Sequence, residues 1–135
     1  APRMAQFLKA SAVVPQHIIS SPAKRARKTA KIFAETLFDD ASKVEFVDRV
    51  YAATTADLFS VVRAIDDRLE TCMLVGHNPG LTDFANALVS NKLHAIDNIP
   101  TSGIVILKLD LPRWKLLDEG RAELSKFVYP ELLSV

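Results

Sequence analysis

Apolar positions along the chain switch between helical spacing and short runs of strand length. Met4, Phe7 and Leu8 stand at i, i+3 and i+4, which predicts an amphipathic helix at the start. His17-Ile18-Ile19-Ser20 follows as a short strand. Ser21-Pro22 offers an N-cap residue and a proline suited to the first helical position, and Ala26, Ala30, Phe33 and Leu37 then repeat along one helix face. Val44-Glu45-Phe46-Val47 alternates as a strand does. Thr54 and Asp57 have the spacing of a capping box, ahead of a stripe of Leu58, Val61, Val62, Ile65 and Leu69. The continuous apolar run Cys72-Met73-Leu74-Val75 predicts a strand covered on both faces. Asn78-Pro79 opens a further helix with Leu81, Phe84, Ala85 and Leu88 on its core side. Ile104 to Leu109 reads as a strand and Trp114 to Leu117 as another. Helix and strand alternate throughout, so the expected class is α/β with a mainly parallel sheet.

With 135 residues the chain fits one domain, residues 1–135, around one core. Nearly half of its residues are apolar and a net charge of +1 gives no nucleic-acid footprint. No apolar run is long enough to span a bilayer, and the N-terminus lacks a signal-peptide pattern. The single cysteine, Cys72, rules out an intrachain disulfide or a multi-cysteine zinc site and reads as a packed thiol. These features point to a reducing compartment, the cytoplasm. Four glycines in all, none in a phosphate-binding fingerprint, argue against a kinase or a dinucleotide enzyme.

Two stretches carry candidate chemistry. In Leu74-Val75-Gly76-His77-Asn78-Pro79-Gly80 a buried strand ends, a histidine follows and a helix begins. Ligands of open α/β sheets bind at such carboxyl ends, and a helix N-terminus adds unpaired N–H groups for an anion. His77 is placed there to donate to a phosphoryl oxygen or to hold positive charge beside one. In Ser20-Ser21-Pro22-Ala23-Lys24-Arg25-Ala26-Arg27-Lys28-Thr29-Ala30 another strand end leads into a helix with four basic residues within five positions. Lys24, Arg27 and Lys28 read as a solvated basic face. Arg25, in the first turns, can grip two oxygens of one phosphate with its planar guanidinium. Ser21 and Asn78 read as helix caps, Asn78 also as a ligand contact.

Ser-Ser-Pro-x-x-Arg-Ala-x-x-Thr-Ala, followed some fifty residues on by Val-Gly-His-Asn-Pro-Gly, resembles the histidine phosphatase (phosphoglycerate mutase-like) superfamily. Within it the chain is most similar to the short bacterial phosphohistidine phosphatases of the SixA type. The run from Trp114 through Gly120, Leu124, Phe127 and Pro130 to Leu132 is similar to the end of that group. The resemblance implies a three-layer α/β/α fold and a two-step phosphatase. A histidine of an Arg-His-Gly motif, at the end of the first strand, takes the phosphoryl group and water then removes it. Two arginines and a second histidine clamp the phosphoryl oxygens, and no metal or other cofactor takes part. By match to the motifs, Arg25 is one of those arginines and His77 the second histidine, both catalytic and substrate-binding, with Asn78 beside the substrate.

The chain contains no Arg-His-Gly. His17 and His94 lack the neighbouring arginine and glycine, so neither is expected to act. The first strand and its catalytic loop are expected upstream of Ala1, and residues 1–135 by themselves are expected to be inactive. Because the first strand of this fold is central, its absence would expose two unpaired strand edges. The short spacing between Arg25 and His77 leaves little material for a lid. An open site suits a phosphorylated side chain on another protein, such as a His-containing phosphotransfer domain, and a small phosphorylated compound is the other candidate. Neither nucleic acid nor a membrane is an expected partner. The alternative is a phosphate-binding or interaction module that lacks the nucleophile.

Overall fold

The elements run in the order α1 (Pro2–Lys9), β1 (His17–Ser20), α2 (Lys24–Phe38), β2 (Glu45–Phe46), α3 (Thr55–Arg63), β3 (Cys72–Val75), α4 (Gly80–Leu88), β4 (Ile104–Leu109) and β5 (Ala122–Val128). They are seen in a computed structural model that describes residues 1–89 and 96–133. β1 is the middle of a three-stranded parallel sheet, with β2 on one side and β3 on the other. Its register with β3 runs from His17 opposite Cys72 to Ser20 opposite Val75.

Neighbouring residues of β1 point to opposite faces, as the pleat demands. Ile18 packs with Met4, Leu8, Ala30 and Phe33 of α1 and α2. Ile19 packs with Leu58 and Val62 of α3 and Phe84 of α4. Two helical layers therefore enclose the sheet, and the α/β class with its α/β/α layering is as expected. Ala26, Ala30 and Ala34 line the buried side of α2, where their small side chains let α1 approach closely.

Local signals explain most element boundaries. Both halves of the capping box at α3 are formed: Asp57 N–H donates to Thr54 Oγ1 at 3.1 Å, and Thr54 N–H to Asp57 Oδ2 at 3.0 Å. α3 stops at Arg63, short of Ile65 and Leu69 in the predicted stripe. Asp66 breaks it there by accepting from Arg68 N–H at 2.9 Å, while its carbonyl accepts from Leu69 N–H at 3.0 Å. Such side-chain acceptors compete with helical bonds.

The C-terminal third departs from expectation. Residues Trp114–Leu116 form a single 3-10 turn, not a strand. Asp67 accepts from the Trp114 N–H at 3.0 Å, and the indole donates to Leu69 O at 2.8 Å, so the aromatic anchors a corner. The second strand of this region is β5, antiparallel to β4 from Ile104 opposite Val128 to Leu109 opposite Ala122.

β3 also departs from its expected burial. Cys72, Met73 and Leu74 are only half-buried, because β3 pairs with β1 on one side alone. Its other edge and the edge of β4 not taken by β5 line one cleft of about 310 Å³. Met73, Leu74, Val105 and Leu107 contribute from the strands, and Leu8 and Leu88 from the helices. Partial burial, with Glu45 adding to it, pushes the Cys72 thiol up to about 12. Cys72 is thus an inert thiol of this cleft wall.

The central position of Ile18, fully buried between α1 and α2, gives the first prediction. Ile18→Ala should lower the unfolding free energy by about 2–5 kcal/mol. Thr54→Ala should cost about 1 kcal/mol through the lost cap. Urea titrations measure both, and a smaller loss for Ile18→Ala than for Thr54→Ala would contradict the placing of the core around β1.

Candidate functional site

Parallel pairing of β1 with β3 brings the two motif-bearing strand ends side by side. Ser21 N–H extends the ladder by one bond, donating to Val75 O at 2.9 Å, and Val47 N–H donates to Ser20 O at 2.9 Å on the other side. Ser20 and Ser21 are both fully buried. Two residues past β3, His77 places its Nε2 2.8 Å from Ser21 Oγ.

Ser21 does not cap α2 as expected. The helix begins at Lys24 with Ala23 at the cap position and no side-chain cap bond. Pro22 accordingly lies in the turn before the helix rather than in its first position. Ser21 Oγ instead accepts from Ala23 N–H at 3.2 Å, which shapes the turn into α2. Its hydroxyl hydrogen is then free for Nε2 of a neutral His77 ring, while a protonated ring would donate to the remaining lone pair. In both states Ser21 holds the Nε2 side of the ring. Nδ1 has no partner among the described residues and is the nitrogen left for a ligand.

The segment after His77 is held from two directions. Leu81 N–H donates to His77 O at 2.9 Å as α4 begins. At Gly80 a Cβ atom would lie 2.7 Å from Ala53 O, so the loop before α3 presses on α4 where no side chain fits. Pro79, not Asn78, takes the cap position of α4; Asn78, one residue earlier, still accepts from Thr82 N–H at 3.3 Å and Thr82 Oγ1 at 2.8 Å. Its amide nitrogen is engaged too, with Ile99 O at 2.6 Å and Asn98 Oδ1 at 3.3 Å. The side chain of Asn78 therefore joins α4 to residues 98–99. Leu81 and Ile99 also line the end of the cleft between β3 and β4, which so reaches the neighbourhood of His77 and Asn78.

Arg25 is exposed in the first turn of α2, and no described carboxylate pairs with it. It follows β1 at the same sheet edge at which His77 follows β3. Of the other basic residues there, Arg27 is not simply solvated, since its guanidinium stands 5.5 Å over the Phe46 ring. His17 is paired with Glu45 at 2.8 Å across the starts of β1 and β2, away from the carboxyl ends that carry the motifs. His94 lies outside the described residues. One residue that the sequence reading missed is Tyr51, whose ring meets His77 edge-on at 5.9 Å between centroids. A single tyrosine between Val50 and Ala52, outside any helical or strand repeat, gives no periodic signal that would single it out.

Comparisons with known proteins bear on the fold. No protein-family model matches the chain. An uncharacterised protein of Mycobacterium leprae is 29% identical over 130 residues, spanning 92% of this chain and 77% of the relative. One of Mycobacterium tuberculosis is 28% identical over 133 residues, with 92% and 79% covered. Among solved structures, a candidate phosphohistidine phosphatase SixA from Agrobacterium tumefaciens superposes with a TM-score of 0.75 at 26% identity, covering 96% of this chain and 77% of that one. The protein histidine phosphatase SixA complexed with tungstate gives 0.80 at 18% identity, over 98% and 80% of the two chains. The resemblance read from the two motifs thus extends to the fold.

The Ser21–His77 bond supports a prediction of its own. Ser21→Ala should cost about 1–3 kcal/mol of stability, because a buried acceptor is lost. It should also shift the ¹⁵N signals of the His77 ring, as Nε2 loses its partner. Ring signals identical to those of the unsubstituted protein would show that Ser21 does not orient His77.

Proposed function

We propose that this chain, which carries the SixA-type fold of the histidine phosphatase superfamily, is the phosphate-clamping part of a phosphohistidine phosphatase. The observation that carries this reading is the Ser21–His77 bond across two parallel strand ends, with Arg25 exposed in the first turn of the adjoining helix and paired with no described carboxylate. Arg25 would take two phosphoryl oxygens with its guanidinium fork, and His77 would present Nδ1 to a third. Asn78 and Thr82 brace the turn that carries His77.

The attacking histidine is not among residues 1–135. In this reading it belongs to an Arg-His-Gly at the end of a further strand seated in the cleft between β3 and β4. Two facing strand edges with an apolar lining suit such a strand, whose end would emerge beside His77. The histidine nitrogen bonds to phosphorus as the bond to the leaving imidazole or alkoxide breaks, and the leaving group departs with a proton. Water then attacks phosphorus, releasing inorganic phosphate and restoring the histidine. Charge builds on the same oxygens in both steps, so fixed positive groups act on both. An open site and a good leaving group together favour phosphohistidine on a partner protein over an alkyl phosphate.

His77→Ala, made in the protein from its full reading frame, should lower kcat on a phosphohistidine protein roughly a hundredfold or more, the scale of losing one transition-state donor. Arg25→Lys should also be costly, since an ammonium cannot reproduce the fork. Near-normal kinetics for both would place the chemistry elsewhere. Reading the coding sequence upstream of Ala1 decides the nucleophile. Without an Arg-His-Gly there, a phosphate-binding module without catalysis becomes the better reading.

A further inference from the structure

The geometry points to Tyr51 as the specificity-determining residue of this site, stacking on a planar ring in the leaving group of the bound phosphate. The inference deepens the phosphohistidine reading and rests on the anion lying at His77 and Arg25. Tyr51 is 58% exposed, the most open of the large apolar side chains among the described residues. A single exposed aromatic ring is common on its own; what singles out Tyr51 is that its exposed ring also meets the ring of His77. Its position is enforced from both sides. Val50, next to it, is 2% exposed and packs in the core with Leu58. Tyr51 N–H donates to Asp48 O at 3.0 Å, and Ala52 after it takes φ 49°, a left-handed conformation that disfavours alanine. Ala53 is then pinned against Gly80, and Thr54 caps α3. A side chain held outward by a strained and anchored loop is positioned, not merely left over.

The distances fit one ligand class. The Tyr51 and His77 rings are 5.9 Å apart at an interplanar angle of 67°. A phosphoryl oxygen accepting from His77 lies about 2.8 Å from its ring nitrogen. The leaving group is attached to the same phosphorus, so in this reading a ring joined directly to it would lie beside the Tyr51 face, at the ~4.5–7 Å over which aromatic pairs attract. Imidazole and phenyl groups have such a ring; serine, threonine and glycerol phosphates do not. Tyr51 would then favour phosphohistidine by contact, in addition to its chemistry as a leaving group.

Binding of phenylphosphonate and methylphosphonate, two stable analogues, tests this without relying on turnover. Calorimetry on the protein from its full reading frame should show the phenyl compound bound about three- to tenfold more tightly, the range of one aromatic pair. Tyr51→Ala should bring the two affinities together and Tyr51→Phe should keep them apart. Equal affinities in the unsubstituted protein, a preference surviving Tyr51→Ala, or no binding of either compound would each overturn the assignment. A preference that follows Tyr51 in a protein unable to hydrolyse phosphohistidine would instead sink the phosphatase reading and leave the ring site standing.

Discussion

The parallel register of β1 and β3 is the constraint on which the rest of the molecule depends. Ser20 opposite Val75 puts the ends of two strands level, and only then can Ser21 reach both the Val75 carbonyl and the His77 ring. A slip of one residue would turn Ile18 and Ile19 to the wrong faces and send Ser21 away from His77 together. Core and candidate site are therefore specified by one pairing. The apolar residues that resist a slip are Ile18, against α1 and α2, and Ile19, against α3 and α4. Stability at the centre of the sheet thus becomes precision at its edge.

What could be read from sequence follows from the range of the interactions involved. The faces of α1 to α4 and the cap at Thr54 rest on residues three or four positions apart, and these were legible. β4 was legible from its apolar run. The Trp114 corner was not, since its indole and backbone bonds go to Leu69 and Asp67, more than forty positions earlier. The apolar run of β3 was misread for a related reason: a run of that kind reports that a strand is to be covered, not which neighbour covers it. At the site, the motif residues Arg25 and His77 stood out by placement after strands. The second duty of Ser21 and the place of Tyr51 depend on contacts across 56 and 26 positions, His77 being the common partner. Local propensity carries no trace of either.

The cleft between β3 and β4 follows from the same sheet logic. An apolar strand edge facing another across open space is unfavourable for both, because main-chain groups lack ladder partners and the side chains stay half wet. Met73 and Leu74 on one wall, with Val105 and Leu107 on the other, form a lining suited to an extended apolar segment better than to a polar small molecule. The β1–β3 pairing also dictates where such a segment would end, since the cleft reaches Leu81 and Ile99, the residues bonded to His77 and Asn78.

Electrostatics divides the two strand ends into different roles. α4 has Asp83 in its first turn, which answers the positive end of its dipole. α2 has no acid in its first turn and carries Lys24, Arg25, Arg27 and Lys28 there instead. Those cations oppose the dipole, and among the described residues only Arg27 finds compensation, on the face of Phe46. With a net charge of +1 over the whole chain, this excess is local to the start of α2. An anion brought to it would relieve repulsion already present in the folded protein, so part of its binding energy is stored before it arrives. The α2 side would then supply the charge and the α4 side the direction, through a His77 ring whose orientation Ser21 and Tyr51 hold from two sides. A phosphoryl group needs both, because charge alone attracts any anion and a fixed ring alone attracts none strongly.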